Sequence, residues 1–309
     1  MKLASIDIGT NTVLLLVARV SEDGAITPLA YEQRIPRLGK GVDARRTLGD
    51  DPMRRVIQVL RDFQALAEPY GVERMIVCGT SAVRDAANRE HFASLVRNET
   101  GLELEVLSGE EEALWTYRGA IGGVPGVERA TVVDIGGGST EITTGDVDGI
   151  SEKASLDIGS VRLTERILRD DPPTITQLAE AIGWIEDELQ KIRGFHTSGT
   201  TLIGVAGTAT TLALLDQNMR NFSLDAVSNY TLTQEAVARL VSRLSLLPVA
   251  EIRRLSDVLE GRADIITAGA LILRELLTQF GFRQVTVSER GVRYGLVLRE
   301  WERRTGRSV

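Results

Sequence analysis

Ile6-Asp7-Ile8-Gly9-Thr10-Asn11-Thr12 returns in the second half of the chain as Val133-Asp134-Ile135-Gly136-Gly137-Gly138-Ser139-Thr140. Each copy ends a hydrophobic strand and precedes a second one, so each is the tip of a hairpin. Glycine permits positive φ and close backbone approach. Successive N–H groups in such a turn make a concave anion nest, to which the hydroxyls of Thr10, Thr12, Ser139 and Thr140 add donors. One glycine-rich hairpin is usually only a turn. Two related ones, each led by an aspartate, predict a shared phosphate cleft. A carboxylate beside a phosphate nest repels its ligand unless a cation intervenes. Asp7 and Asp134 therefore point to Mg²⁺ held through water, with phosphate oxygens completing its shell. The alternative is that each aspartate caps its own turn through an Asx bond.

Working outward, the pattern is α/β in both halves. Strands are predicted over 2–7, 13–20 and 26–34. An amphipathic helix follows, starting at Pro52 with Asp51 as N-cap and Met53, Val56, Ile57, Leu60, Phe63, Ala67 and Tyr70 on one face. Strand 75–78 runs into a helix near Ser81, and strand 102–107 into a helix near Gly109. Such strand-to-helix units imply parallel strands. The second half repeats the plan: strands 131–134, 141–144 and 150–156, a helix over 176–193, and strand 202–206 leading into a helix at Thr208. Helices over 234–247 and 262–280, a strand at 284–288 and a helix from Val292 complete it. The glycine-rich stretch from Gly119 to Gly126 is the predicted boundary. It gives a domain over 1–122, joined by the terminal helix 292–309, and a second domain over 123–291.

Composition narrows the functional classes. A chain of 309 residues exceeds the size at which one core stops growing. Hydrophobic content of 43% with 26% charged residues is that of a soluble globular protein. The net charge of -7 argues against bulk nucleic-acid binding, so an anionic ligand must be held by local groups. One cysteine excludes an intramolecular disulfide and fits a reducing compartment. No signal-peptide pattern opens the chain, and Val13 to Ala18 is too short a run to span a bilayer. The expectation is a cytoplasmic protein with no membrane partner.

Further motifs complete a family pattern. They are Gly79-Thr80-Ser81-Ala82-Val83-Arg84-Asp85-Ala86, Ser108-Gly109-Glu110-Glu111-Glu112-Ala113, Gly204-Val205-Ala206-Gly207-Thr208, Arg262-Ala263-Asp264 and Arg293-Tyr294-Gly295. With both aspartate hairpins, the second extended to Glu141, the chain resembles the exopolyphosphatase / guanosine pentaphosphate phosphohydrolase family nearly end to end. This resemblance implies two ribonuclease-H-like domains of the actin-like ATPase superfold flanking a central cleft. It implies that Glu112 is the catalytic base, that Arg84 binds phosphate, and that Glu141 belongs to the Mg²⁺ and phosphate site. It also implies a homodimer. Longer members add a C-terminal helical HD-type domain; a short form without it is expected here, and with it a preference for short chains. Thr10 and Thr12 replace the serines of many relatives and keep the hydroxyl.

The residues can be read beside that resemblance. Ser108-x-x-Glu111 is a capping box that occupies Glu111, leaving Glu112 free to face the cleft. Three acidic residues at a helix start are also ordinary dipole complements. Arg84 follows a neighbouring parallel strand, at the carboxyl end where open α/β sheets bind ligands. Its planar fork suits phosphate. Arg37 and Lys40, in Arg37-Leu38-Gly39-Lys40-Gly41, either take a further phosphate or form a solvated basic loop. Gly207 and Thr208 either contact phosphate or pack a helix onto its strand.

The substrate expected is inorganic polyphosphate, hydrolysed at its terminal phosphoanhydride with Mg²⁺, or alternatively guanosine pentaphosphate. Two rivals share the fold: a small-molecule kinase and a nucleotide-binding assembly protein. A third rival is chemical. Cys78-x5-Arg84 has the spacing of cysteine-dependent phosphatases, but no histidine precedes it and the loop lacks an inner glycine. Buried cysteine at a strand end is usually inert. His91 and His196, the only histidines, join no metal-ligand cluster.

Overall fold

The computed structural model describes residues 1–146 and 149–307. Residues 308 and 309, assigned above to the terminal helix, lie outside the described residues. The chain forms two compact units, one of Met1–Gly119 with Gly291–Val309, the other of Ala120–Arg290.

The first unit runs β1 (Lys2–Ile8), β2 (Val13–Val20), β3 (Ile26–Arg34), α1 (Val42–Arg45), α2 (Asp50–Ala67), β4 (Arg74–Gly79), α3 (Ser81–Arg84), α4 (Arg89–Thr100), β5 (Leu104–Val106) and α5 (Gly109–Ile121). Its sheet has the order β3-β2-β1-β4-β5. β1 pairs antiparallel with β2 and parallel with β4. Strand side chains alternate between faces, and both faces of β1 are covered. Ala4, Ile6 and Ile8 pack with Val56, Leu60 and Phe63 of α2. Leu3 packs with Leu16, Ala18 and the terminal helix. That cover explains why Leu3, Ala4, Ile6 and Ile8 of β1 are all buried and why β2 is a nearly continuous apolar run. The helix α2 starts at Asp50 with Gly49 as N-cap and no side-chain cap. Asp51 therefore lies in the first turn, where its charge complements the helix dipole, and is not the cap.

The second unit runs β6 (Arg129–Ile135), β7 (Thr140–Asp146), β8 (Gly149–Leu156), α6 (Ser160–Arg166), α7 (Ile175–Gln190), β9 (Thr201–Val205), α8 (Ala206–Asp216), α9 (Leu224–Val227), β10 (Thr231–Thr233), α10 (Gln234–Leu244), α11 (Val249–Leu255), α12 (Ile266–Phe280) and β11 (Gln284–Val287). Its sheet order is β10-β11-β9-β6-β7-β8. Remove β10, and the order repeats that of the first sheet. The duplication extends to register. Asp7 pairs with Leu14 and Ile8 with Val13, while Asp134 pairs with Glu141 and Ile135 with Thr140. The turns close alike: Gly9 N–H donates to Thr12 O at 2.9 Å, and Gly136 N–H to Ser139 O at 3.0 Å.

The helix expected over 262–280 begins only at Ile266. Arg262 instead forms a turn whose guanidinium covers the start of α8; a Cβ on Gly207 would lie 1.6 Å from its Nη1.

The last helix, α13 (Val292–Thr305), belongs to the first unit. Tyr294, Val297, Leu298 and Trp301 bury its apolar face. Arg299 and Arg118 make two-pronged ion pairs with Glu105 and Glu302. Where α13 crosses α5 the backbones touch: a Cβ on Gly295 would lie 1.9 Å from Trp115 O. Overpacking of a rigid contact costs about 1–3 kcal/mol, so Gly295→Ala is expected to lower the thermal midpoint by several degrees. An unchanged melting curve would show that the crossing yields. Glu300, 6% exposed, is held by Arg303, Arg304 and Arg74. The hydrogen bond from Arg303, then that from Arg304, lowers its pKa from 4.5 to about 2 against the cost of burial. Its contribution is present above the unfolded value of 4.5 and lost as pH falls through about 2. Between those pH values wild type is expected to lose stability more steeply than Glu300→Gln; parallel curves in acid denaturation would remove Glu300 from the account.

Candidate functional site

In the first unit the candidate residues gather at the carboxyl ends of β1, β4 and β5. β1 ends with Asp7 beside Cys78 of β4 in the parallel register. β4 delivers Thr80, and α3 follows with Arg84. β5 leads through Leu107 to α5, whose first turn carries Glu112. The capping box forms as the sequence predicts. Glu111 N–H donates to Ser108 Oγ at 3.2 Å, and Ser108 N–H donates to Glu111 Oε2 at 2.9 Å. Glu112, 7% exposed, points elsewhere. It is not free: Arg84 Nη1 donates to Glu112 Oε2 at 2.7 Å and to Leu107 O at 3.1 Å, and Thr80 also hydrogen-bonds the carboxylate. The capping box leaves Glu112 out, and its carboxylate is paired with Arg84 instead. A carboxylate this deep needs a countercharge to remain ionised, and the nearest is the arginine expected to bind phosphate.

The electrostatics of this corner are crowded. Burial raises the Glu112 pKa, opposed by Arg84 and by the Thr80 hydrogen bond. Asp7 is pushed up to about 7, first by desolvation and then by Glu112, with Arg293 pulling it down. Arg293, at the start of α13, is 4% exposed and stacks over Tyr31 at 4.5 Å. Ser5 Oγ donates to its carbonyl at 2.9 Å, tying α13 to β1. The sequence motif contained Arg293 without revealing that its charge reaches Asp7.

The hairpin tip is braced from the side of β3. Asn11 O accepts Arg37 N–H at 3.1 Å and Thr10 O accepts Gly39 N–H at 2.7 Å. Gly39 is obligatory here, since a Cβ would meet Thr10 Cγ2 at 2.2 Å. Arg37 holds a positive φ of 55° and is half-buried, while Lys40 is exposed. Both therefore border the Gly9–Thr12 turn.

In the second unit, Asp134 and Glu141 are direct cross-strand partners on one face. Such pairs place Cβ atoms about 4.5–5.5 Å apart, where like charges destabilise unless neutralised. Glu141 is buried and accepts Ser155 Oγ–H at 2.7 Å. Two threonines leave the list of phosphate donors. Thr140 is fully buried and donates to Ile158 O at 2.7 Å. Thr208 is buried and donates to Ile135 O at 3.0 Å, which seats α8 on β6. Their hydroxyl protons are spent on backbone, as close helix–strand packing requires. Gly207 lies under Arg262. The segment from Gly159 to Arg162 escaped sequence reasoning although it packs directly on the Gly136–Gly138 turn. Its signal was a glycine and serine between a strand and an apolar turn.

Cys78 is fully buried, and its thiol pKa is driven well above the ordinary value by desolvation, then by Asp7 and Glu112. A thiolate nucleophile needs the opposite environment.

A profile described as the Ppx/GppA phosphatase family matches residues 16–304. The chain belongs to the Ppx/GppA phosphatase family. It is 35% identical over 316 residues to a Mycobacterium tuberculosis protein named exopolyphosphatase 2, covering 96% of this chain and 98% of that one. It is 30% identical to the guanosine-5'-triphosphate,3'-diphosphate pyrophosphatase of Vibrio cholerae, covering 95% of this chain and 58% of that one. The crystal structure of the Aquifex aeolicus Ppx/GppA family member superposes with a TM-score of 0.83 at 32% identity, covering 99% of each chain. Both units accordingly have the actin-like ATPase fold. Within this Ppx/GppA framework Cys78→Ala is expected to leave phosphate release unchanged, and iodoacetamide to leave the native protein active. Loss of turnover in the alanine variant would reinstate the thiol.

Proposed function

We propose that the protein is an exopolyphosphatase: it hydrolyses the terminal phosphoanhydride of inorganic polyphosphate and releases orthophosphate, favouring short chains. The observation that carries this reading is the Arg84–Glu112 pair at 2.7 Å in a phosphatase-family chain, beside a glycine turn and Asp7. Phosphoryl transfer is mainly positioning and charge neutralisation. Arg84 binds the terminal phosphoryl oxygens with its planar fork. As the guanidinium turns to phosphate, Glu112 is released to accept a proton from a water aligned with the scissile bond. Water oxygen bonds to the terminal phosphorus, the bridging P–O bond breaks, and the shortened chain departs with the bridging oxygen. Thr80 holds the Glu112 carboxylate in orientation.

Mg²⁺ belongs to the same proposal. Among the described residues no group of three or more acidic, histidine or cysteine side chains is placed to hold a metal. Mg²⁺ bound with phosphate needs only one or two carboxylates, with water and phosphate oxygens as the rest. The facing Asp134–Glu141 pair, and Asp7 crowded by Glu112, are donor sets of that kind. When bound, the ion neutralises phosphate oxygens and so lowers the cost of attack.

Guanosine pentaphosphate is the second reading, favoured by the similarity to the Vibrio cholerae protein. Inorganic chains are preferred because the contacts proposed for Arg84 and the glycine turns need only phosphate. A homodimer in the cytoplasm completes the proposal; among the described residues no helix is long and apolar enough to cross a membrane.

Glu112→Ala is expected to lower phosphate release from tripolyphosphate at least about 100-fold, the lower range for loss of a general base, while binding persists. Glu112→Gln, which keeps the shape beside Arg84, is expected to do the same. Preserved turnover in the folded glutamine variant would exclude Glu112 as base. Release that appears only with a sugar or carboxylate acceptor would favour a kinase.

A further inference from the structure

The turn Gly136–Ser139 has its carbonyl oxygens taken from one side. Gly136 O accepts Ser160 N–H at 2.9 Å and Ser160 Oγ–H at 3.2 Å. Gly137 O accepts the N–H groups of Val161 at 2.8 Å and Arg162 at 3.0 Å. Gly138 O accepts Arg162 Nε–H at 2.7 Å. All the donors come from the first turn of α6. The approach is close enough that a Cβ on Gly159 would lie 2.5 Å from the Gly137 carbonyl. Behind it, Thr140 Oγ1 donates to Ile158 O and locks the segment against β7.

A trans peptide points its C=O and the N–H of the next residue in opposite directions. Fixing the carbonyls of Gly136, Gly137 and Gly138 toward α6 therefore fixes the N–H groups of Gly137, Gly138 and Ser139 away from it. Among the described residues none of these three N–H groups has a protein acceptor. Glycine left to itself samples many φ and ψ values; without the clamp the three donors would not converge. Arg162 is the outermost part of the clamp and its one side chain that is both charged and buried, at 6% exposure. Its Nε bond decides the third peptide, while backbone N–H groups and the Ser160 hydroxyl decide the first two.

We infer that Arg162 is a positioning residue that orients the N–H groups of Gly137, Gly138 and Ser139 into a preformed phosphate-binding nest. Resting on the phosphatase reading above, it acts through the backbone and need not touch phosphate. Preorganised donors are effective because they pay no reorganisation when charge arrives. The Gly9–Thr12 turn has a related brace, since Thr10 O and Asn11 O accept N–H groups of Gly39 and Arg37. There backbone N–H groups reach two of the turn's carbonyls, as those of Ser160, Val161 and Arg162 do in the second unit.

The test is amide NMR of the full chain titrated with tripolyphosphate, alongside steady-state kinetics. In wild type the amide signals of Gly137, Gly138 and Ser139 are expected to move downfield and saturate. In Arg162→Met those shifts shrink, the Ser139 shift most, and tripolyphosphate affinity falls about tenfold or more, the scale of losing one hydrogen bond to a charged group. KM rises more than kcat falls, and Arg162→Lys recovers part of the loss because its ammonium can still donate to Gly138 O. If the methionine variant does not fold, Arg162→Gln serves: it keeps a polar side chain but loses the Nε–H donor to Gly138 O, and a smaller Ser139 shift is expected. A folded Arg162→Met, or failing that Arg162→Gln, with wild-type shifts and KM overturns the positioning role. Wild-type amides that stay still while tripolyphosphate binds elsewhere overturn the phosphate reading of this turn itself.

Discussion

A peptide unit cannot turn both ends of its dipole to the same side, and that constraint organises both glycine turns. Each hairpin tip presents donors on one side only because something grips its carbonyls on the other. In the second unit the grip is the first turn of α6 with Arg162; in the first it is the backbone of Arg37 and Gly39. The glycines are required by those grips as much as by any ligand. Gly39 and Gly159 lie where a single added carbon would collide with the turn they support. On the proposed reading, phosphate affinity is set a layer behind the groups that would touch phosphate.

The second organising element is charge held at close quarters. Asp7, Glu112, Arg84 and Arg293 meet at the ends of buried strands, and no member keeps its ordinary surroundings. Burial raises the Glu112 pKa, and Arg84 opposes it. Asp7 is resisted by Glu112 and supported by Arg293. Such an arrangement is poor for stability, because a buried ion pair rarely repays its desolvation. It suits the proposed site, in which the resting partners would be exchanged for a polyanion and a cation. The framework around it compensates with apolar cover on both faces of β1 and with the ion-paired terminal helix.

Much of this was legible in the sequence because the chain says it twice. The strand–Asp–Gly hairpin is local, its alternation marks the strands, and the repeat points to a duplicated sheet whose registers agree. The Ser108–Glu111 capping box was equally local. Relations between distant elements were not legible. Arg84 and Glu112 lie on different helices, and nothing in either motif says that one neutralises the other. Thr140 and Thr208 look like phosphate donors by residue type, yet packing commits their protons to backbone carbonyls. Asp51 looked like a helix cap, but Gly49 caps the helix two residues earlier. Arg162 was invisible because its effect depends on where α6 lands.

The claim on which the functional account stands is that water attacks the terminal phosphorus of the chain. Turnover of tripolyphosphate in ¹⁸O-labelled water, with no other acceptor present, tests it directly. The account predicts one ¹⁸O atom in each released orthophosphate and none in the pyrophosphate left behind. Label in the pyrophosphate, or no orthophosphate without an added acceptor, would contradict it.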